Sequence, residues 1–181
     1  MLVTVSNMRN PKHLAITILV ILVSFLTVVA DAQSRWRAAN TQELRKLIPA
    51  RAPVVKENIE TEFRTASGVT DGKGKFIAGV VMITAGYSAE GKYSHFFVTQ
   101  SALQCGDITL QPGEYVFGYQ RNGNDTISVS FYRASSGDAI GNVEAHVNRK
   151  RSLVTSLLIT APVNGKGTIQ VGRFIFDYKL A

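Results

Sequence analysis

The stretch Gln111–Val147 constrains the fold most, because apolar residues recur there at every second position. A period of two is the pattern of a β-strand that buries one face. Three such runs are separated by two glycine-containing turns. The sequence therefore predicts a three-stranded antiparallel meander, with these residues on its inner face: Tyr115, Phe117, Tyr119, Ile127, Val129, Phe131, Gly141, Val143 and Ala145.

The first turn contains Asn122-Gly123, a dipeptide that commonly forms a two-residue type I′ loop. Such a loop would place the apolar residues of the two strands on opposite faces of the sheet. Because a slip of one residue turns every side chain to the other face, we prefer a three-residue loop. This register predicts that Phe117 lies opposite Val129.

The second turn, Ala134–Asp138, predicts a three-residue loop with Gly137 in the left-handed conformation. Counting from this turn places Val129 opposite Val143. The outer face is mostly polar, with Ser128 and Ser130 on the middle strand. We therefore expect one face of the meander in the core and the other in water.

The N-terminal stretch Met1–Ala32 has the features of a signal peptide. Basic residues precede the uncharged run Leu14–Ala30, and Ala30-Asp31-Ala32 has the small-x-small form of a signal-peptidase site. The sequence thus predicts a mature chain from Gln33 and an exported protein, periplasmic or secreted. The run approaches the ~20 residues that span a bilayer, so an uncleaved anchor at residues 14–30 is the alternative. A start at Met8 is an alternative to Met1.

Removal of residues 1–32 leaves 18 basic and 12 acidic residues, a net charge of +6. The remaining length suits one domain with a proper core. Cys105 is the only cysteine, so no internal disulfide forms and the domain must be held together by packing. We expect Cys105 to be a small buried residue, because neither a neighbouring base nor a CxxC pattern activates it.

Residues 33–55 are predicted to form a leader with a short helix, which Asn40 and Glu43 cap and Pro49 ends. Residues 56–181 contain short apolar or alternating runs between glycine-containing turns. This pattern predicts an all-β domain, a single antiparallel β-sandwich, with a β-barrel as the alternative.

Two stretches carry a resemblance to known proteins. Leu110-Gln111-Pro112-Gly113-Glu114-Tyr115 is similar to the L-x-x-G-x-Y phrase of transthyretin-like and carboxypeptidase-regulatory-like β-sandwich modules. Ala85–Phe97, together with Pro112–Gln120, resembles a group of exported bacterial proteins with no assigned activity. The resemblance implies an exported β-sandwich and supplies no catalytic residues.

The sequence contains no motif that predicts catalysis, a metal or a cofactor. A P-loop and a G-x-S-x-G elbow are missing, and the mature histidines, His95 and His146, belong to no close-set ligand motif. We therefore expect a non-catalytic binding or structural module of the cell envelope. The alternatives are a small exported hydrolase with a distant carboxylate pair, and a barrel that carries an apolar ligand.

Arg149-Lys150-Arg151 is the one run of charge. Its ordinary interpretation is a solvated loop between two strands. The functional alternative is contact with an anionic envelope polymer or with lipid headgroups. Nucleic acid is not expected as a partner, because the N-terminal segment implies export and no nucleic-acid-binding motif is present.

The aromatic residues Tyr87, Tyr93, Phe96 and Phe97 flank one loop. They would form a platform for stacking on a sugar if they shared an exposed face. Half of the residues on a strand must point inward, however, so a role in the core is preferred.

Overall fold

The computed structural model describes residues 36–150 and 153–181. The predicted signal peptide Met1–Ala32, the predicted start at Gln33, and Arg151 lie outside the described residues. Within them the chain forms one α-helix and thirteen β-strands: β1 (Arg37–Ala38), α1 (Thr41–Leu47), β2 (Arg51–Val54), β3 (Glu57–Thr70), β4 (Phe76–Met82), β5 (His95–Thr99), β6 (Leu103–Cys105), β7 (Ile108–Leu110), β8 (Gly113–Arg121), β9 (Thr126–Arg133), β10 (Ala139–Val147), β11 (Thr155–Ile159), β12 (Lys166–Gly172) and β13 (Phe174–Leu180).

The strands form one large antiparallel sheet that curls into a half-barrel, and the predicted all-β class is confirmed. Their order along the sheet is β1-β3-β4-β5-β8-β9-β10-β13-β12-β11, with β2 paired to β3, and β6 paired to β13 and β7. The helix has the predicted cap. The Glu43 N–H donates to the Asn40 side chain over 3.0 Å, and the Asn40 N–H donates to the Glu43 carboxylate over 2.8 Å.

The last strand of this order, β11, lies against β3 and β4. The Ile159 N–H donates to the Ser67 hydroxyl over 2.9 Å. A Cβ atom at Gly79 would lie 3.0 Å from the Leu157 side chain, so the missing side chain lets β11 approach closely. We call this contact between the two ends of the sheet the seam; it comprises Ser67, Gly79, Leu157 and Ile159.

Two clusters of buried residues occupy opposite faces of the sheet. The inner core contains the rings of Phe97, Phe117, Phe131 and Phe176, whose centroids lie 5.1 to 6.4 Å apart in successive contacts. The outer core lies under α1, β2 and the connection between β4 and β5, and includes Phe96. Because β5 has a core on each side, all five of its residues are buried.

The register between β9 and β10 is as predicted, with Val129 opposite Val143. Gly137 is left-handed, as predicted, with φ of 76°. The turn itself differs, because Arg133 and Asp138 close a loop of residues 134–137 rather than one of three residues. A bulge between Ala139 and Gly141 absorbs the extra residue and restores the predicted pairing.

The register between β8 and β9 is shifted by two residues from the prediction, so that Phe117 lies opposite Phe131 rather than Val129. An even shift leaves every side chain on its predicted face. It also brings the two phenylalanine rings to 5.1 Å, a contact that the predicted pairing would not favour. With this shift Tyr119 lies beyond the edge of the inner core, and its side chain is 50% exposed. The predicted burial of Tyr119 was therefore wrong.

The predicted solvent exposure of the outer face is confirmed on β10 and wrong on β8. Asn142 and Glu144 are exposed. Val116 is fully buried in the outer core, and a Cβ atom at Gly118 would collide with the backbone of Lys92. The connection between β4 and β5 folds across β8 and causes this burial, which no pattern within the meander could reveal.

Candidate functional site

Three connections between strands meet at one end of the sheet. The Asn148 N–H in the β10–β11 connection donates to the carbonyl oxygen of Arg173 in the β12–β13 turn over 2.8 Å. The Arg173 guanidinium donates over 3.1 Å to the carbonyl oxygen of Asn124 in the β8–β9 turn. These hydrogen bonds join segments that lie far apart in the sequence.

The same end carries a group of cations, which we call the basic rim: Arg121, Arg149, Lys150 and Arg173. All four are exposed. Asp125 lies 3.6 Å from Arg149, and their side chains are 67% and 84% exposed, so the ion pair contributes little. Among the described residues, the other three rim cations form no ion pair. The rim and Asp125 together carry a net charge of +3.

Some arginines elsewhere in the chain have closer acidic partners than Arg149 has. Arg37 contacts Glu43 at 2.6 Å, and Arg51 contacts Glu60 at 2.9 Å. The hydrogen bond from Arg37, together with that from the Asn40 backbone, lowers the pKa of Glu43 to about 2. The rim differs because several cations meet at one end of the sheet and, among the described residues, Arg149 alone of them contacts a carboxylate.

Two apolar side chains, Leu153 and Val154, lie beside the rim and are 90% and 75% exposed. We call this pair the apolar tip. The buried Gln170 side chain holds its backbone in place, because Nε2 donates to the carbonyl oxygens of Leu153 (3.1 Å) and Gly172 (2.8 Å). The tip is therefore fixed next to the turn that carries Arg173.

The structure places two residues of the predicted charge run, Arg149 and Lys150, in the rim, whereas Arg151 lies outside the described residues. Sequence reasoning missed Arg121 and Arg173. Each is a single basic residue at a strand end, a weak signal by itself. Their proximity to the run follows from the pairing of β10 with β13 and from the β8–β9 turn.

The predicted aromatic group divides between the two cores. Phe96 and Phe97 are fully buried on opposite faces of β5, and Tyr93 is buried with its ring centroid 5.1 Å from that of Tyr132. Tyr87 is partly buried against the outer core. These side chains do not share one exposed face.

The two histidines lie in opposite environments. His146 is exposed opposite Thr126, as predicted, with Nε2 3.3 Å from Glu144. His95 is buried and stacks on Phe117 with centroids 4.5 Å apart. Burial lowers the pKa of His95 to about 4, and the Ser156 backbone opposes this to a smaller extent. Its imidazole is therefore neutral at pH 7.

The polar atoms of His95 have limited contacts. Nδ1 lies 2.8 Å from the Ser94 hydroxyl, and Nε2 forms no hydrogen bond of standard geometry with described residues. The described residues also contain no group of three His, Cys, Asp or Glu side chains that could hold a metal ion. Cys105 is buried, as predicted, and burial raises the pKa of its thiol to about 12. A thiol in this state is a poor nucleophile.

A shallow pocket lies beside α1, lined by Arg45, Ile48, Ala50, Thr61 and Phe63. The Arg45 guanidinium lies 4.5 Å from the centroid of the Phe63 ring. The Thr61 hydroxyl donates to the Pro49 carbonyl oxygen over 2.8 Å. The polar groups of this pocket thus have partners within the protein.

No helix in the described part of the chain has the length and apolar character needed to cross a bilayer.

Comparison of the chain with protein-family models, curated proteins and solved structures found no match. Fold and site together define an all-β protein with two buried cores and a basic rim at one end of the sheet.

Proposed function

We propose that the protein is an exported, non-catalytic binding module of the cell envelope whose basic rim holds anionic groups. The observation that carries this proposal is that the four rim cations lie at one end of the sheet and that, among the described residues, Arg149 alone of them contacts a carboxylate, that of Asp125. Guanidinium groups bind phosphate or carboxylate oxygens through paired, charge-assisted hydrogen bonds. Export rests on the sequence features of Met1–Ala32.

The packing of the reactive side chains supports binding rather than catalysis. Cys105 and His95 are buried, one with a raised thiol pKa and the other as a neutral imidazole. Glu144 and His146 face water on the surface of a strand rather than a cleft. The phenylalanine rings of the inner core occupy the face that would line the cavity of an apolar-ligand carrier.

The proposal is tested with inorganic polyphosphate as a model anionic polymer. The double variant Arg149→Glu/Arg173→Glu reverses two rim charges. The matched control, Lys166→Glu/Lys179→Glu, makes the same change in net charge at the opposite ends of β12 and β13, where both lysines are exposed. Affinity is measured by titration calorimetry at low and at physiological salt.

We expect the rim variant to weaken polyphosphate binding at least about tenfold and to lose most of its salt dependence. The control should lose far less affinity, because its charges lie away from the rim. Equal losses in both variants would show attraction by net charge alone and would contradict a localised site. Failure of the wild-type protein to bind polyphosphate would also overturn the proposal.

A further inference from the structure

The basic rim and the apolar tip lie at the same end of the sheet, where hydrogen bonds join the β10–β11 connection to the β12–β13 turn. Leu153 lies in the β10–β11 connection, and its carbonyl oxygen accepts a hydrogen bond from the Gln170 side chain. The Gln170 side chain also contacts the other side of the same connection, with Oε1 3.5 Å from the Asn148 amide. One buried side chain therefore contacts the connection that carries Arg149, Lys150 and the tip on both sides of these residues.

The tip does not suit a purely hydrophilic ligand. Single exposed apolar residues are common, but Leu153 and Val154 are adjacent, largely exposed and held next to cations. Polymer phosphates would use the cations and leave the apolar pair in water. A bilayer rich in anionic lipid offers partners for both, with phosphates at the surface and acyl chains just beneath.

We infer that the basic rim and the apolar tip together form a peripheral attachment site for an anionic lipid surface, a conclusion that deepens the proposed function and rests on it. In this arrangement Leu153 and Val154 enter the boundary between headgroups and acyl chains. Arg149, Lys150 and Arg173 bind the surrounding lipid phosphates. Attachment then has a salt-sensitive component from the rim and a salt-resistant component from the tip.

The experiment compares two probes with the chain that begins at Gln33. One is vesicles with about one-third phosphatidylglycerol in phosphatidylcholine, and the other is inorganic polyphosphate. The tip variant is Leu153→Ser/Val154→Ser. Val163→Ser is its control, because Val163 is 73% exposed in the β11–β12 connection, at the opposite end of β12 from Arg173.

We expect the tip variant to reduce vesicle binding about tenfold at physiological salt while polyphosphate binding changes less than about twofold. Val163→Ser should leave both unchanged. As a direct readout, Leu153→Trp should show a blue-shifted emission with the anionic vesicles but not with pure phosphatidylcholine, and Val163→Trp should show no shift.

Two results would overturn the inference while the proposed function stands. One is intact polyphosphate binding with no preference of the wild-type protein for anionic vesicles, which would identify the rim as a polymer site. The other is normal vesicle binding by the tip variant. Loss of polyphosphate binding in the wild-type protein would instead overturn both proposals.

Discussion

Val129 and Ser130 are neighbours in the sequence, yet their side chains meet opposite environments. Val129 is fully buried in the inner core between Tyr119 and Val143. Ser130 is partly buried on the outer face, between Gly118 and Asn142. The alternation of a strand produces this difference, and parallel substitutions at the two positions can measure it.

Val129→Asp should destabilise the domain by about 3 kcal/mol or more, because it buries a carboxylate without a partner. That is a large part of the ~5–15 kcal/mol that stabilises a typical domain. Ser130→Asp should cost less than about 1 kcal/mol. Urea unfolding followed by the fluorescence of Trp36, which packs against the inner core, measures both. Equal losses would contradict the assignment of faces.

His95 should make the stability depend on pH. Its pKa is about 4 in the folded protein and ~6.5 when unfolded, so the unfolded chain binds more protons between these values. The contribution of neutral His95 to the free energy of unfolding is therefore fully present above pH ~6.5. It falls by up to about 3 kcal/mol as the pH drops towards 4.

His95→Phe should remove this component of acid sensitivity, since a phenyl ring can stack on Phe117 without gaining a proton. His146→Phe, which makes the same replacement at an exposed histidine, is the control. Urea unfolding at a series of pH values gives the change in the free energy of unfolding with pH for each variant. A His95→Phe profile identical to that of the wild type would show that other groups cause the acid sensitivity.

At the scale of the element, one dipeptide forms two different turns. Asn164-Gly165 has φ of 51° and 76°, and Val163 and Lys166 exchange both backbone hydrogen bonds around it. This is the two-residue loop that Asn-Gly favours. Asn122-Gly123 has no positive φ and lies in a wider turn that the Asn122 N–H closes on Thr126 over 3.2 Å.

Gly165→Ala should therefore destabilise the domain by about 1–2 kcal/mol, the cost of a left-handed alanine. Gly123→Ala should stay within about 0.5 kcal/mol of the wild type, because its backbone conformation suits any residue. Thermal unfolding of the two variants measures the loss of stability at each turn. A larger loss at Gly123 than at Gly165 would contradict the turn assignments.

At the scale of the whole molecule, the seam tests how the sheet is held in its curled form. Ser67→Ala removes the acceptor of the Ile159 N–H and should cost about 1–3 kcal/mol. Hydrogen exchange of the β11 amides should accelerate, while that of β9 should change little. Ser128→Ala, on the outer face of β9, is the control. Uniform acceleration in both strands would show that the seam does not open separately.

Several features followed from the sequence because they depend on residues a few positions apart. Alternation assigned the inner face of β9 and β10, and the Asn40–Glu43 pair marked the start of α1. Gly137 indicated the left-handed turn position. Local sterics and hydrogen bonds set each of these features, so that distant parts of the chain could not overrule them.

Only the tertiary structure decided between alternatives that residues close in the sequence favour equally. Two registers of β8 against β9 that differ by two residues bury the same faces of both strands, and a small change in loop length alters the closure entropy little. The contact between Phe117 and Phe131 therefore selects the observed register. The basic rim has the same origin. Arg173 joins Arg149 because β10 pairs with β13, and no local pattern encodes a pairing between strands so far apart in the chain.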